Sequence, residues 1–166
     1  VTGRPKFYVL PLRLFIASQP FPLLALKAGV EYYLAKCFYF YQFEREGSPT
    51  INQEGEAKAR GLGLMGGLVL ERKLFTGLSL FLEATSRYAK IKGFEGTHTE
   101  KESTTVVSTQ EGKQYYSYKS ENAIGTRYPQ LYIREKLPTE AFVYDPRQAV
   151  MDFSGISLKT GFKVKF

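Results

Sequence analysis

The closing segment SGISLKTGFKVKF sets the pattern of this chain. Its even positions read Ile156, Leu158, Thr160, Phe162, Val164 and Phe166, and its odd positions Ser157, Lys159, Gly161, Lys163 and Lys165. Successive side chains of a strand point to opposite faces, so this spacing predicts a strand with one apolar face and one small or basic face. Four upstream segments alternate in the same way. In KFYVLPLRLFI, Tyr8, Leu10, Leu12, Leu14 and Ile16 oppose a set containing Pro11 and Arg13. In LLALKAGVEYYLAK, Leu24, Leu26, Ala28, Val30, Tyr32 and Leu34 oppose Lys27, Gly29, Glu31, Tyr33 and Ala35. In ARGLGLMGGLVLE, Leu62, Leu64, Gly66, Leu68 and Leu70 oppose Gly61, Gly63, Met65, Gly67, Val69 and Glu71. In GLSLFLEATSRYA, Leu78, Leu80, Leu82 and Tyr88 oppose Ser79, Phe81, Glu83, Thr85 and Arg87.

Each segment is about 10 residues or longer, against about 5–6 for an ordinary strand, and that length crosses a bilayer when tilted. The second face decides the class. A soluble sandwich shows water a face rich in Lys, Glu and Thr. Here that face holds Gly, Ala, Ser and sparse charges of both signs: Arg13, Lys27, Glu31, Glu83, Arg87, Lys159 and Lys163. Small residues and opposite charges suit a narrow, filled, polar lumen. The other face suits lipid, and the residues expected on it are Leu10, Leu12, Leu14, Leu24, Leu26, Val30, Leu62, Leu64, Leu68, Leu78, Leu80, Leu82, Ile156, Leu158, Phe162 and Val164. The expected fold is all-β: an antiparallel up-and-down transmembrane β-barrel forming one domain over residues 1–166.

The connections agree. ASQPFP and RKLFT read as short turns, whereas residues 41–58 and about 93–146 read as long ones, the latter an extracellular loop. Short and long connections alternate in outer-membrane barrels. Within the long loop, QYYSYK and QLYIREK are candidate strand extensions beyond the membrane. Tyr32, Tyr33, Phe38–Tyr41, Tyr88, Phe162 and Phe166 lie near strand ends, as an interfacial girdle would. The net charge of +7 comes from singly interleaved basic residues, which argues against a nucleic-acid partner. No apolar run of 18 residues exists in the sequence for a transmembrane helix, and its opening residues are not expected to act as a signal peptide.

The stretches LKAGVEYYLAK, GLSLFLEATSRYAKIKGFEG and DFSGISLKTGFKVKF, together with FYVLPLRLFI, resemble the small eight-stranded outer-membrane β-barrels of Gram-negative bacteria, the OmpW/OmpA-like group. The last strand of that group carries an assembly signal, which Lys159, Gly161, Phe162, Val164 and Phe166 match. The resemblance implies an outer-membrane location, lipid contact and recognition by the barrel-assembly machinery. It also implies a structural role or a narrow channel for small, hydrophobic molecules. Family barrels have an even number of strands, and five are visible here. About three N-terminal strands are therefore expected to be missing. Alternatively an open edge pairs with another chain, because bare edges are not tolerated in lipid. Pro11 would then sit at a bulge or a seam.

Other chemistry is weakly signalled. GLGLMG (Gly61–Gly66) matches the glycine pattern of a dinucleotide loop, yet more strand follows it, so the glycines are expected to make room inside a barrel. Glu83 and Arg87, like Lys27 and Glu31, lie four apart on one face and are expected to form a buried ionic network. His98 is expected in a solvated outer loop; Ser103 and Glu100 lie near it in sequence only, so no hydrolytic triad is expected. Cys37 is the one cysteine, so no intrachain disulfide can form, and it is expected as a small apolar filler. No catalytic, metal or cofactor-binding residue is expected. Three alternatives remain: a soluble β-barrel holding an apolar ligand against its Leu face, a component of a larger cell-envelope assembly with a partner at the long loop or strand edge, and a lipid-modifying enzyme.

Overall fold

The period of two survives in space. All eleven elements among the described residues are strands, and none is a helix. The computed structural model describes residues 2–44, 49–103, 105–120 and 125–164. In chain order the strands are β1 (Thr2–Gly3), β2 (Lys6–Phe21), β3 (Leu24–Phe43), β4 (Ile51–Phe75), β5 (Leu78–Ile91), β6 (Glu95–Glu102), β7 (Thr105–Lys119), β8 (Tyr128–Arg134), β9 (Val143–Gln148), β10 (Met151–Asp152) and β11 (Gly155–Val164). The chain divides into two compact units. The first unit comprises Val1–Leu10, Leu34–Arg60 and Ile91–Met151, and the second comprises Pro11–Tyr33, Gly61–Lys90 and Asp152–Phe166.

The second unit holds parts of the five alternating segments, in the strand order β2–β3–β4–β5–β11. Its hairpins are tighter than ASQPFP and RKLFT suggested. β2 runs through Phe21 and turns at Pro22–Leu23, while β4 runs through Phe75 and turns at Thr76–Gly77. Gly77 takes φ 83°, the left-handed geometry that a two-residue hairpin turn asks of glycine. The antiparallel register matches the faces: Leu64 pairs with Tyr88, Leu70 with Leu82, Phe162 with Leu80 and Leu158 with Ala84. The sheet is not closed. Among the described residues β2 pairs only with β3, and β11 only with β5. Pro11 thus lies on an edge strand, where a missing N–H costs the ladder least.

The apolar face of this unit looks outward. Leu62 is 73% exposed and Ile156 80%, and Leu12, Leu14, Leu26, Val30, Leu64, Leu68, Leu80, Leu82, Leu158, Phe162 and Val164 are also exposed. Leu10, in the first unit, is exposed as well. Leu24 and Leu78 are half-buried at the strand starts that follow the turns. On the opposite parity Glu31, Tyr33 and Ser79 are buried, whereas Arg13, Phe15, Ser157 and Lys159 on the edge strands β2 and β11 are exposed.

In the first unit, β4 pairs with β6 from Ile51↔Glu102 to Lys58↔Glu95. β6 pairs with β7, and the second half of β7 pairs with both β8 and β9. The stretch 93–146, expected as a long loop, is therefore largely strand. Its first strands lacked the apolar contrast that marks a half-buried strand, because Thr97, Thr99 and Lys101 alternate with equally polar neighbours. The candidate extensions QYYSYK and QLYIREK do lie in β7 and β8 and their continuations. The aromatic girdle also needs correction. Tyr33, Tyr39 and Tyr41 have inward parity and are buried, whereas Phe40, Tyr88 and Phe162 point outward. Phe166 and Lys165 lie outside the described residues.

Candidate functional site

The inward face of the second unit gathers most of the charges expected there. Glu31 on β3 is fully buried. The Arg13 Nε on β2 lies 2.7 Å from its Oε1, and the Arg87 Nε on β5 lies 2.9 Å from its Oε2. Both are charge contacts rather than aligned hydrogen bonds, since neither Glu31 Oε1 nor Arg87 Nε has a hydrogen-bond partner among the described residues. The Tyr33 hydroxyl donates to Glu31 Oε2, and its ring stacks on Phe153 at 5.7 Å. The Lys27 Nζ donates to Glu83 Oε1 at 3.0 Å. The Lys163 Nζ donates to Glu71 Oε2 at 3.1 Å.

The partners differ from those suggested by sequence spacing. Lys27 meets Glu83 rather than Glu31, and Arg87 meets Glu31 rather than Glu83. Residues four apart on a strand are separated by about 13 Å, whereas neighbours across strands are far closer. The two pairs reach from β3 to β5 over β4, which presents Gly63, Met65, Gly67 and Val69 on this face there, with Met65 in register beside Arg87 and Val69 beside Glu83. Gly63 is required there: a Cβ would come within 2.8 Å of the Ala89 Cβ and 3.0 Å of the Tyr33 ring. GLGLMG thus lies wholly within β4 as an inner-face spacer. Lys163 reaches Glu71 over β5 at the small, buried Ser79.

Lys159 does not join the network. It is exposed, and its register partner Glu83 is held by Lys27. Of the proposed assembly octet, Gly161 has a clear local reason: a Cβ would come within 3.1 Å of the Phe81 ring. Glu71 and Tyr33 were missed as network members. Both already stood on the inward parity, which was the signal available.

The first unit has a separate buried polar cluster. His98 is buried on β6, not solvated in a loop; its Nδ1 lies 3.0 Å from the Tyr39 hydroxyl. Burial pushes His98 below its ordinary value and the Tyr39 hydroxyl up. Neither Ser103 nor Glu100 hydrogen-bonds to His98 among the described residues; Glu100 accepts from Gln53 and the Ser103 carbonyl from Asn52. Cys37 is buried with inward parity, accepts from Gln114 Nε2 at 3.1 Å, and has its thiol pushed up by burial. Tyr132 donates to Gln130 Oε1 at 2.8 Å, and its hydroxyl is pushed up to about 12, first by burial. Tyr39 with His98, Cys37 with Gln114 and Tyr132 with Gln130 thus pair within this cluster.

Compared with known proteins, the chain matches no family model, no curated protein and no solved structure. The likeness to the OmpW/OmpA-like group therefore rests on the alternating strands and the C-terminal octet alone.

Proposed function

We propose that the second unit is the bilayer-crossing part of an integral outer-membrane β-barrel of a Gram-negative bacterium. The supporting observation is its two-sided parity: a continuous exposed Leu face lies opposite a face where Glu31 is buried between two arginines. Lipid rewards the first face, and a narrow lumen filled by side chains accommodates the second. The alternative of a soluble barrel with its Leu face inward requires the opposite exposure. Between a structural role and a narrow passage for small, hydrophobic molecules, the paired charges favour the structural one. Lys27, Glu31, Glu83 and Arg87 neutralise one another instead of lining an aqueous constriction.

The free edges of β2 and β11 cannot remain bare in lipid. About three further strands, from this protein or from a second chain, would complete eight. The second source makes the protein a component of a larger envelope assembly. Partners during biogenesis would be the barrel-assembly machinery, reading the Lys159–Phe166 octet, and afterwards the surrounding lipid.

The test is heat-modifiable gel mobility with far-UV circular dichroism in detergent. It is combined with water-soluble maleimide labelling of Leu80→Cys and Glu83→Cys variants in vesicles. Leu80→Cys should be protected until the vesicles are dissolved. A folded protein that stays monodisperse without detergent and labels freely at position 80 would sink the proposal.

A further inference from the structure

Within the first unit, the outward parity of β3 and β4 carries a groove of about 710 Å³. Its lining includes the apolar residues Tyr8, Leu10 and Leu34 and the cations Lys36, Lys58 and Arg60. Tyr8, Leu10 and Leu34 are all exposed, so an apolar surface stands unfilled beside the charges. The Lys36 Nζ lies 2.7 Å from Glu56 Oε1, and the Lys58 Nζ lies 3.3 Å from the same oxygen. Lys36 also sits 4.2 Å over the Phe38 ring, whose edge-on contact with Tyr8 measures 5.9 Å. Arg60 is exposed and has no ion-pair or hydrogen-bond partner among the described residues. Three cations thus stand against two carboxylates, Glu56 and the Glu95 that lies in register with Lys58 on β6, which leaves one positive charge in excess. That imbalance suits an anion, and the exposed Leu and Tyr side chains suit a hydrocarbon chain attached to it.

A free anion would leave the apolar part of the groove wet, and an uncharged lipid would leave the cations unmatched. Resting on the membrane reading above, we infer that this groove holds an anionic, phosphate-bearing lipid. Its headgroup lies between Lys36, Lys58 and Arg60, and its first acyl carbons lie on Leu10 and Leu34. Basic residues at a membrane surface attract anionic headgroups additively. The cations therefore select the lipid, and the apolar part holds it in place.

The experiment uses the folded protein in neutral detergent, supplied with dioctanoyl phosphatidylglycerol, dioctanoyl phosphatidylcholine or inorganic phosphate. Lipid retention is read by native mass spectrometry and stability by thermal unfolding. The glycerol lipid should be retained about tenfold better than the choline lipid and should raise the melting temperature, whereas inorganic phosphate should do neither. A K36Q/K58Q/R60Q variant should lose that preference with an unchanged far-UV spectrum. L34S should weaken retention of both lipids and leave the preference intact. Equal retention of the two lipids overturns the inference, as does an unaltered preference in the triple variant or displacement of the lipid by inorganic phosphate. A protein that inserts into phosphatidylcholine vesicles but has no headgroup preference sinks only this inference. Failure to insert at all sinks the membrane reading beneath it.

Discussion

Glu31 and Arg87 meet at 2.9 Å although their strands are not neighbours: β4 runs between them, with Met65 in register beside Arg87 and glycine at positions 63 and 67 on either side of it. Arg13 approaches the other oxygen of the same carboxylate at 2.7 Å.

Replacing Glu31 with Gln leaves two guanidinium groups without their shared carboxylate. Loss of one partner from a fully buried pair costs about 3–5 kcal/mol. Arg13 and Arg87 are 46% and 35% exposed, so water compensates in part. The expected loss is about 2 kcal/mol, between the buried and surface cases. It is read from the urea midpoint in detergent micelles. A variant as stable as the parent would show that the contacts contribute nothing.

Gly63→Ala places a methyl group against Ala89 and the Tyr33 ring. Overpacking of this kind costs about 1–3 kcal/mol. Gly66→Ala is the matched control, because its nearest neighbouring atom, the Lys27 carbonyl oxygen, lies 4.0 Å from the added carbon. Gly63→Ala should unfold at lower urea than Gly66→Ala, and the reverse order would refute the spacer role.

Leu64→Arg separates lipid from water on the outer face. In a bilayer, an arginine near the midplane of a barrel's outer surface costs about 2–4 kcal/mol. In water, the same change at this exposed site costs close to nothing. Refolding yield into phosphatidylcholine vesicles should fall sharply, and an unchanged yield counts against the membrane reading.

Burial lowers the His98 value, so its neutral form is favoured in the folded state. The unfolded chain therefore takes up the proton first as the solution is acidified. Stability from this group is whole above its unfolded value of 6.5 and is lost as pH falls from there through the lower folded value. Melting temperatures across that window should decline in the parent, and less steeply in His98→Gln. An equal slope in both would assign the decline to other groups.

Cys37 should resist alkylation in the native protein and react once it is unfolded. It is fully buried, and its thiol is pushed up by that burial. Rapid labelling of folded protein, followed by mass spectrometry, would contradict the packing around Gln114.

Much of the fold can be traced to individual residues. Leu64 and Ile156 announced an outward face, and Lys27, Glu31 and Arg87 an inward one, because alternation by two is a local property of extended backbone. His98 misled, since a polar neighbourhood in sequence resembles a loop even when it forms β6 and packs against Tyr39. Tyr33 misled in the opposite sense, as an aromatic near a strand end that proved to be a core donor to Glu31.

The sequence by itself determined the all-β class, the two parities of the five alternating segments and which of their faces carries the charges. Tertiary structure alone decided the pairing of Glu31 with Arg87 and of Lys27 with Glu83. It also decided the free edges at β2 and β11 and the seating of His98 against Tyr39. The physical reason is range: side-chain direction follows from the residue's own backbone, whereas partner choice depends on register. Register is fixed by where the turns at Pro22–Leu23 and Thr76–Gly77 place each strand beside the next.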